Sequence, residues 1–156
     1  MALKVAKEIA ASIEPGTDLE RVSQAARIVS AYCSQCVYTT EGKDYRQAYG
    51  VFIKGEYSCA GSTRALGMVL ECMGYKWEHA NENKWAHQWC ILIMDGQTAF
   101  ADGQIGLVGY GEHLDDGRCR TAVRNFSFTF RLKKGRTQFL DTFRRLGCRY
   151  LQFFVR

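Results

Sequence analysis

At Gly74 the spacing of apolar residues changes from a helical period before it to an alternating one after it, and this change most constrains what the chain can fold into. Helices predominate before it and strands after it, which favours an α+β domain. With 156 residues and 47% hydrophobic content, the chain can fill one core and not comfortably two.

Ahead of the change, Leu3, Val5, Ala6, Ile9, Ala10 and Ile13 mark a helix over 2–13, stopped by Glu14-Pro15-Gly16. Thr17 or Asp18 caps a second helix that reaches about Ser34, with Leu19, Val22, Ala25, Ala26 and Val29 inward. Gly42 to Gly55 reads as a loop with a short helical turn around Tyr45 to Tyr49. A third helix begins near Ser58 and ends at Gly74, a left-handed cap. Beyond it, Tyr75 to Ala80, Ala86 to Met94 and Gln97 to Asp102 read as strands, with Asn81 to Lys84 as a polar turn. Gly103 to Gly117 is glycine-rich, and Asn125 to Leu132 alternates again.

Asp95-Gly96 is a strong two-residue hairpin signal, and it sets a register in which paired residue numbers sum to 191. His87 then faces Gln104, and Asp102 faces Trp89. Alternation puts His87, Trp89 and Asp102 on one strand face with Ile91, Ile93 and Phe100. His87 and Asp102 become diagonal neighbours, with backbones roughly 7 Å apart and side chains in reach. That face is expected to pack on the helix of Ser58 to Met73, whose stripe of Leu66, Val69, Leu70 and Met73 runs back to Cys59. Cys59 therefore points toward the sheet from a helix N-terminus, where unpaired N–H groups and the positive end of the dipole favour a thiolate. Nucleophile, base and orienting carboxylate in that order describe a cysteine acyl-transfer site.

The segments Gly55-Glu-Tyr-Ser-Cys59-Ala-Gly-Ser-Thr-Arg-Ala-Leu-Gly, Cys72-Met-Gly-Tyr, His87-Gln-Trp and Asp95-Gly-Gln through Ala101-Asp102 together resemble the core of the transglutaminase-like superfamily of papain-like folds. Ile13 to Val22, followed by Val37-Tyr38, resembles the helix and first strand of its bacterial members, so the resemblance covers about residues 5–112. It implies a papain-like core in which N-terminal helices and a nucleophile-bearing helix pack on an antiparallel sheet. It makes Cys59 the nucleophile, His87 the general base and Asp102 the group that orients His87, and it places Tyr38 near the oxyanion. Tyr57 stands where the family usually has glycine, with Gly55 displaced. The implied activity is acyl transfer on a peptide or protein amide through a thioester, without metal or organic cofactor. Hydrolysis of a peptidase or amidase type is favoured over a protein-glutamine transglutaminase or deamidase, and a noncatalytic interaction module retaining the fold is the alternative of another class. The family's members are often parts of bacterial surface or secreted proteins, which leaves the location open between there and the cytoplasm.

Charge divides the chain into an acidic body, 1–117, with 10 Lys/Arg against 15 Asp/Glu, and a basic, aromatic-rich segment, 118–156, with 11 against one. In the latter, arginines mix with Phe126, Phe128, Phe130, Phe139 and Phe143 without a nucleic-acid motif. A cationic segment docked on the acidic body is favoured over nucleic-acid binding. No stretch approaches the ~20 apolar residues of a membrane span. Seven cysteines leave at least one thiol free. Cys72 and Cys90 read as buried small hydrophobes, and Cys33-Ser-Gln-Cys36 as structural thiols ahead of a metal or disulfide pair. His79 and His113 read as surface or hydrogen-bonded histidines. Trp85 and Trp89 are groove-lining candidates beside His87, Trp89 being the better core candidate.

Overall fold

A computed structural model describes residues 1–113, which all fall in one compact unit. The expected segment 118–156 and its alternating run Asn125 to Leu132 lie outside the described residues. Three helices, α1 (Ala2–Ser12), α2 (Asp18–Cys33) and α3 (Cys59–Cys72), precede a four-stranded antiparallel meander of β3 (Trp77–His79), β4 (Cys90–Met94), β5 (Gln97–Asp102) and β6 (Leu107–Tyr110). Between α2 and α3, β1 (Val37–Tyr38) and β2 (Glu56–Tyr57) form a parallel two-residue pairing around a π-helical turn, Gly50–Lys54. The domain is thus α+β, although the short β1–β2 pairing precedes the change of period at Gly74.

Local chemistry accounts for the helix ends. Thr17 accepts from the Glu20 N–H while Glu20 accepts from the Thr17 N–H, a complete capping box. Asp18, the first residue of α2, accepts from the Asp95 N–H at 2.9 Å and from the Tyr75 hydroxyl at 2.6 Å, tying the hairpin tip to the helix. Gly74, at φ 90°, ends the third helical segment as its position suggested. Asp95 and Gly96, at φ 49° and 76°, make the two-residue turn. It sets the expected register, with Met94 opposite Gln97 and Cys90 opposite Ala101.

Four expectations are corrected. The helical turn is already present at Ala48 and Tyr49 and runs on past the expected end as a π-helical turn, Gly50–Lys54, because Gly55 takes φ 79° and closes a wide turn onto the Gly50 carbonyl. The first and second expected strands are shorter, at Trp77–His79 and Cys90–Met94, so His87 precedes the ladder instead of lying in it. Leu107–Tyr110 forms a strand inside the glycine-rich stretch, with Gly109 opposite Phe100. The fourth correction concerns which face of the sheet meets α3. Cys90, Leu92, Met94, Ala99 and Ala101 share the main core with Leu66, Val69 and Leu70, whereas Trp89 and Phe100 form a small second cluster with Ile91 beside it. Because Cys90 to Met94 is apolar at every position, alternation within it cannot choose a face; the alanines of β5 can, since they let a helix approach closely.

Two glycines of α3 set its neighbours. A side chain at Gly61 would run into the Tyr45 carbonyl, and one at Gly67 into the Trp77 ring. At the far end of the sheet, Gly103 lies directly against the Ser62 carbonyl and Leu66, so the chain that leaves β5 after Asp102 runs onto the first turns of α3. Among the described residues, no helix is long and apolar enough to cross a membrane.

Candidate active site

Cys59 is the first residue of α3, Asp102 the last of β5, and His87 lies in the extended stretch that leads into β4. The site therefore sits where one helix begins and two strands have their ends. At the start of α3 the Ser58 hydroxyl makes no capping bond and instead donates to the Tyr45 carbonyl at 3.4 Å. The orphan N–H groups of the first turn stay available to an anion, as an unfilled N-cap allows.

His87 Nε2 lies 2.5 Å from Asp102 Oδ2. That contact commits Nε2 to the carboxylate and leaves Nδ1 for Cys59. The His87 backbone is held too, its carbonyl accepting from Asn81 Nδ2 at 2.9 Å. The Asp102 side chain has no solvent exposure, and its second oxygen accepts from the N–H groups of Gln104 at 2.8 Å and Ile105 at 3.4 Å. Burial is the largest influence on its carboxyl and pushes it up, yet the His113 and His87 contacts, with the Gln104 N–H, hold it at about 2. Contact with Asp102, and after it with Cys59, pushes the half-buried His87 imidazole up to about 10. The Cys59 thiol is held below its ordinary value, first by its hydrogen-bonding contact with His87 and then, against burial, by the His87 charge and the N–H groups of Ala60 and Gln88. The geometry places a thiol beside an imidazole that a buried carboxylate holds, so that the His87 charge favours loss of the Cys59 proton.

Tyr38 is brought to the same place by the β1–β2 pairing, which sets it beside Tyr57, two residues before the thiol. The two rings meet edge to face at 5.3 Å. Burial raises the Tyr38 phenol, and so do the Cys59 charge and thiol contact, while the Cys59 N–H opposes them. The phenol and the Cys59 N–H therefore stand together beside sulfur. Trp85 is 95% exposed, directly before Ala86, whose carbonyl accepts from Cys59 Sγ at 3.9 Å. Trp89 is buried in the second cluster.

Of the two readings offered for His113, surface or hydrogen-bonded, the structure decides against the surface. The ring is buried, stacked on Trp89 at 4.3 Å and 19° and edge-on to Phe100 at 4.9 Å, with Nε2 3.3 Å from Asp102 Oδ2. The N–H direction across that gap is poor for a hydrogen bond, and among the described residues neither ring nitrogen has a well-formed partner. His79 is a hydrogen-bonded histidine as expected, with Nε2 2.7 Å from Gln88 Oε1. Cys33, Cys36, Cys72 and Cys90 are free thiols; burial raises Cys36, pushes Cys33 up to about 12, and lifts Cys90 well above its ordinary value.

His87, Asp102 and His113 offer three ligand atoms within 4.8 Å of one another. Two ligands on one tetrahedral zinc stand roughly 3.3 Å apart. At 2.5 Å, His87 and Asp102 are spaced as hydrogen-bond partners, and an ion seated there would have to part them. No protein-family model matches this chain, and no curated protein matches it either.

Proposed function

We propose that the chain is a cysteine-dependent amidase or peptidase built on a transglutaminase-like, papain-like core, acting on a peptide-like amide. The observation that carries this reading is the convergence of Cys59, His87 and Asp102 in one site, with His87 held at 2.5 Å by a buried carboxylate and its other nitrogen left for sulfur. A helix that starts at the nucleophile and an antiparallel sheet that carries the carboxylate support the papain-like arrangement.

In this mechanism the Cys59 thiolate attacks the amide carbonyl carbon, and the C=O electron pair moves onto oxygen. That oxyanion is met by the Cys59 N–H and the Tyr38 hydroxyl. His87 Nδ1 gives its proton to the leaving nitrogen as the C–N bond breaks, leaving a thioester on Cys59. His87, now neutral, takes a proton from water. The resulting attack releases the carboxylic acid and restores the thiolate–imidazolium pair. Asp102 keeps the imidazole oriented and stabilises its charged form throughout. Trp85 would flank the entering substrate from the solvent side.

Two measurements test the proposal. Iodoacetamide labelling across pH should modify Cys59 well before the other thiols near neutrality; equal rates would remove the activated nucleophile. Incubation with a peptide panel, with and without a labelled primary amine, should yield the free acid by mass. A product carrying the amine would replace hydrolysis with transamidation.

A further inference from the structure

We propose that His113 is a positioning residue for this site, a second imidazole that stands beside His87 at the same oxygen of Asp102 and clamps together the two chain segments that carry the pair. The inference rests on the reading of Cys59, His87 and Asp102 given above.

A carboxylate buried without solvent contact needs its lone pairs met. Backbone N–H groups of Gln104 and Ile105 meet one oxygen of Asp102, and His87 meets the other, with His113 Nε2 3.3 Å from that same oxygen as a charge contact rather than a formed hydrogen bond. The two histidine rings lie 5.6 Å apart with Asp102 Oδ2 shared between them. His113 is itself fixed by two rings: Trp89, two residues after His87, and Phe100, two residues before Asp102. One imidazole thus packs on both segments, so their separation depends on its presence. The titratable groups around this centre are His87 and Cys59 on the solvent side, and the buried thiols Cys33 and Cys90, which feel the Asp102 charge.

If His113 acts as stated, its loss lengthens the His87–Asp102 contact, and the weakened imidazolium supports less Cys59 thiolate. His113→Phe keeps a ring for the stack and removes the N–H, whereas His113→Gln keeps a planar donor. The readout is the rate of Cys59 alkylation by iodoacetamide against pH, followed by mass of the labelled peptide, alongside melting temperature. In His113→Phe the acid limb should move upward by about one pH unit, an approximately tenfold slower reaction at pH below it, and His113→Gln should stay near the parent. An unmoved profile in His113→Phe, or equal shifts in both variants, would overturn the assignment, whatever happens to melting. The parent chain separates the two readings: slow labelling of Cys59 there would defeat the proposed nucleophile, and fast labelling with an unmoved variant would defeat His113 alone.

Discussion

His87 Nε2 and Asp102 Oδ2 meet at 2.5 Å around a carboxylate that no solvent reaches. An amide in place of that carboxylate keeps the shape and removes the charge that favours imidazolium. Asp102→Asn should therefore bring the His87 pKa down from about 10 toward its ordinary 6.5. Amide hydrolysis should fall by on the order of 10²–10⁴ in kcat, the worth of general acid–base catalysis. Histidine ring-proton NMR reads the first effect and steady-state kinetics the second. A variant whose imidazole still titrates near the parent value would show that Asp102 does not govern it.

The same pair writes a pH dependence into stability. Asp102 is depressed from 3.8 to about 2, so its contribution is present above pH 3.8 and disappears as pH falls through about 2. His87 is raised from 6.5 to about 10, so its contribution is complete below pH 6.5 and is lost as pH rises through about 10. The two describe one interaction seen from either partner, and solvent around the half-exposed His87 weakens it. This site's contribution to stability should be greatest between pH 3.8 and 6.5 and fall progressively toward pH 10. Chemical denaturation at a series of pH values checks this by comparison with Asp102→Asn, in which the alkaline part of the slope should flatten.

Tyr38 tests the oxyanion assignment separately from the triad. Its phenol stands beside the Cys59 N–H and shares the site with sulfur. Tyr38→Phe should lower kcat by on the order of 10²-fold if the hydroxyl meets developing charge, with KM little changed. Loss in KM alone would instead make the ring part of substrate binding, and an unchanged kcat would remove the hydroxyl from the chemistry.

Much of this site was legible because its parts obey local rules. Asp95-Gly96 carries the register of β4 and β5, and Thr17 with Glu20 fixes the start of α2. The nucleophile at the head of α3 follows from the apolar stripe behind it. His113 was not legible for a physical reason. It comes two residues after Gly111, which at φ 83° still gives its N–H to Thr98, and no strand period extends past that point to say where a side chain goes. β6 was hidden in the same way, a four-residue strand between Gly106 and Gly111 whose own Gly109 breaks the alternation and lies opposite Phe100. The face of β4 turned to α3 could not be chosen from a run of five apolar residues, and only packing decides it.

That choice of face has a direct energetic consequence in two adjacent residues. Leu92 is 3% exposed and lies in the core shared with α3, whereas Ile93, its neighbour on the strand, is 59% exposed. Deleting a buried leucine removes its transfer free energy and leaves a void, so Leu92→Ala should cost ~2–5 kcal/mol. Ile93→Ala removes an apolar group from a wet surface and should stay within ~0.5 kcal/mol, apart from a small loss of strand propensity. Urea unfolding of the two variants, read with a common slope, measures the contrast. If Ile93→Ala were the more damaging, the helix would lie on the opposite face of the sheet, together with Trp89 and Phe100, and the second cluster would have to be the core.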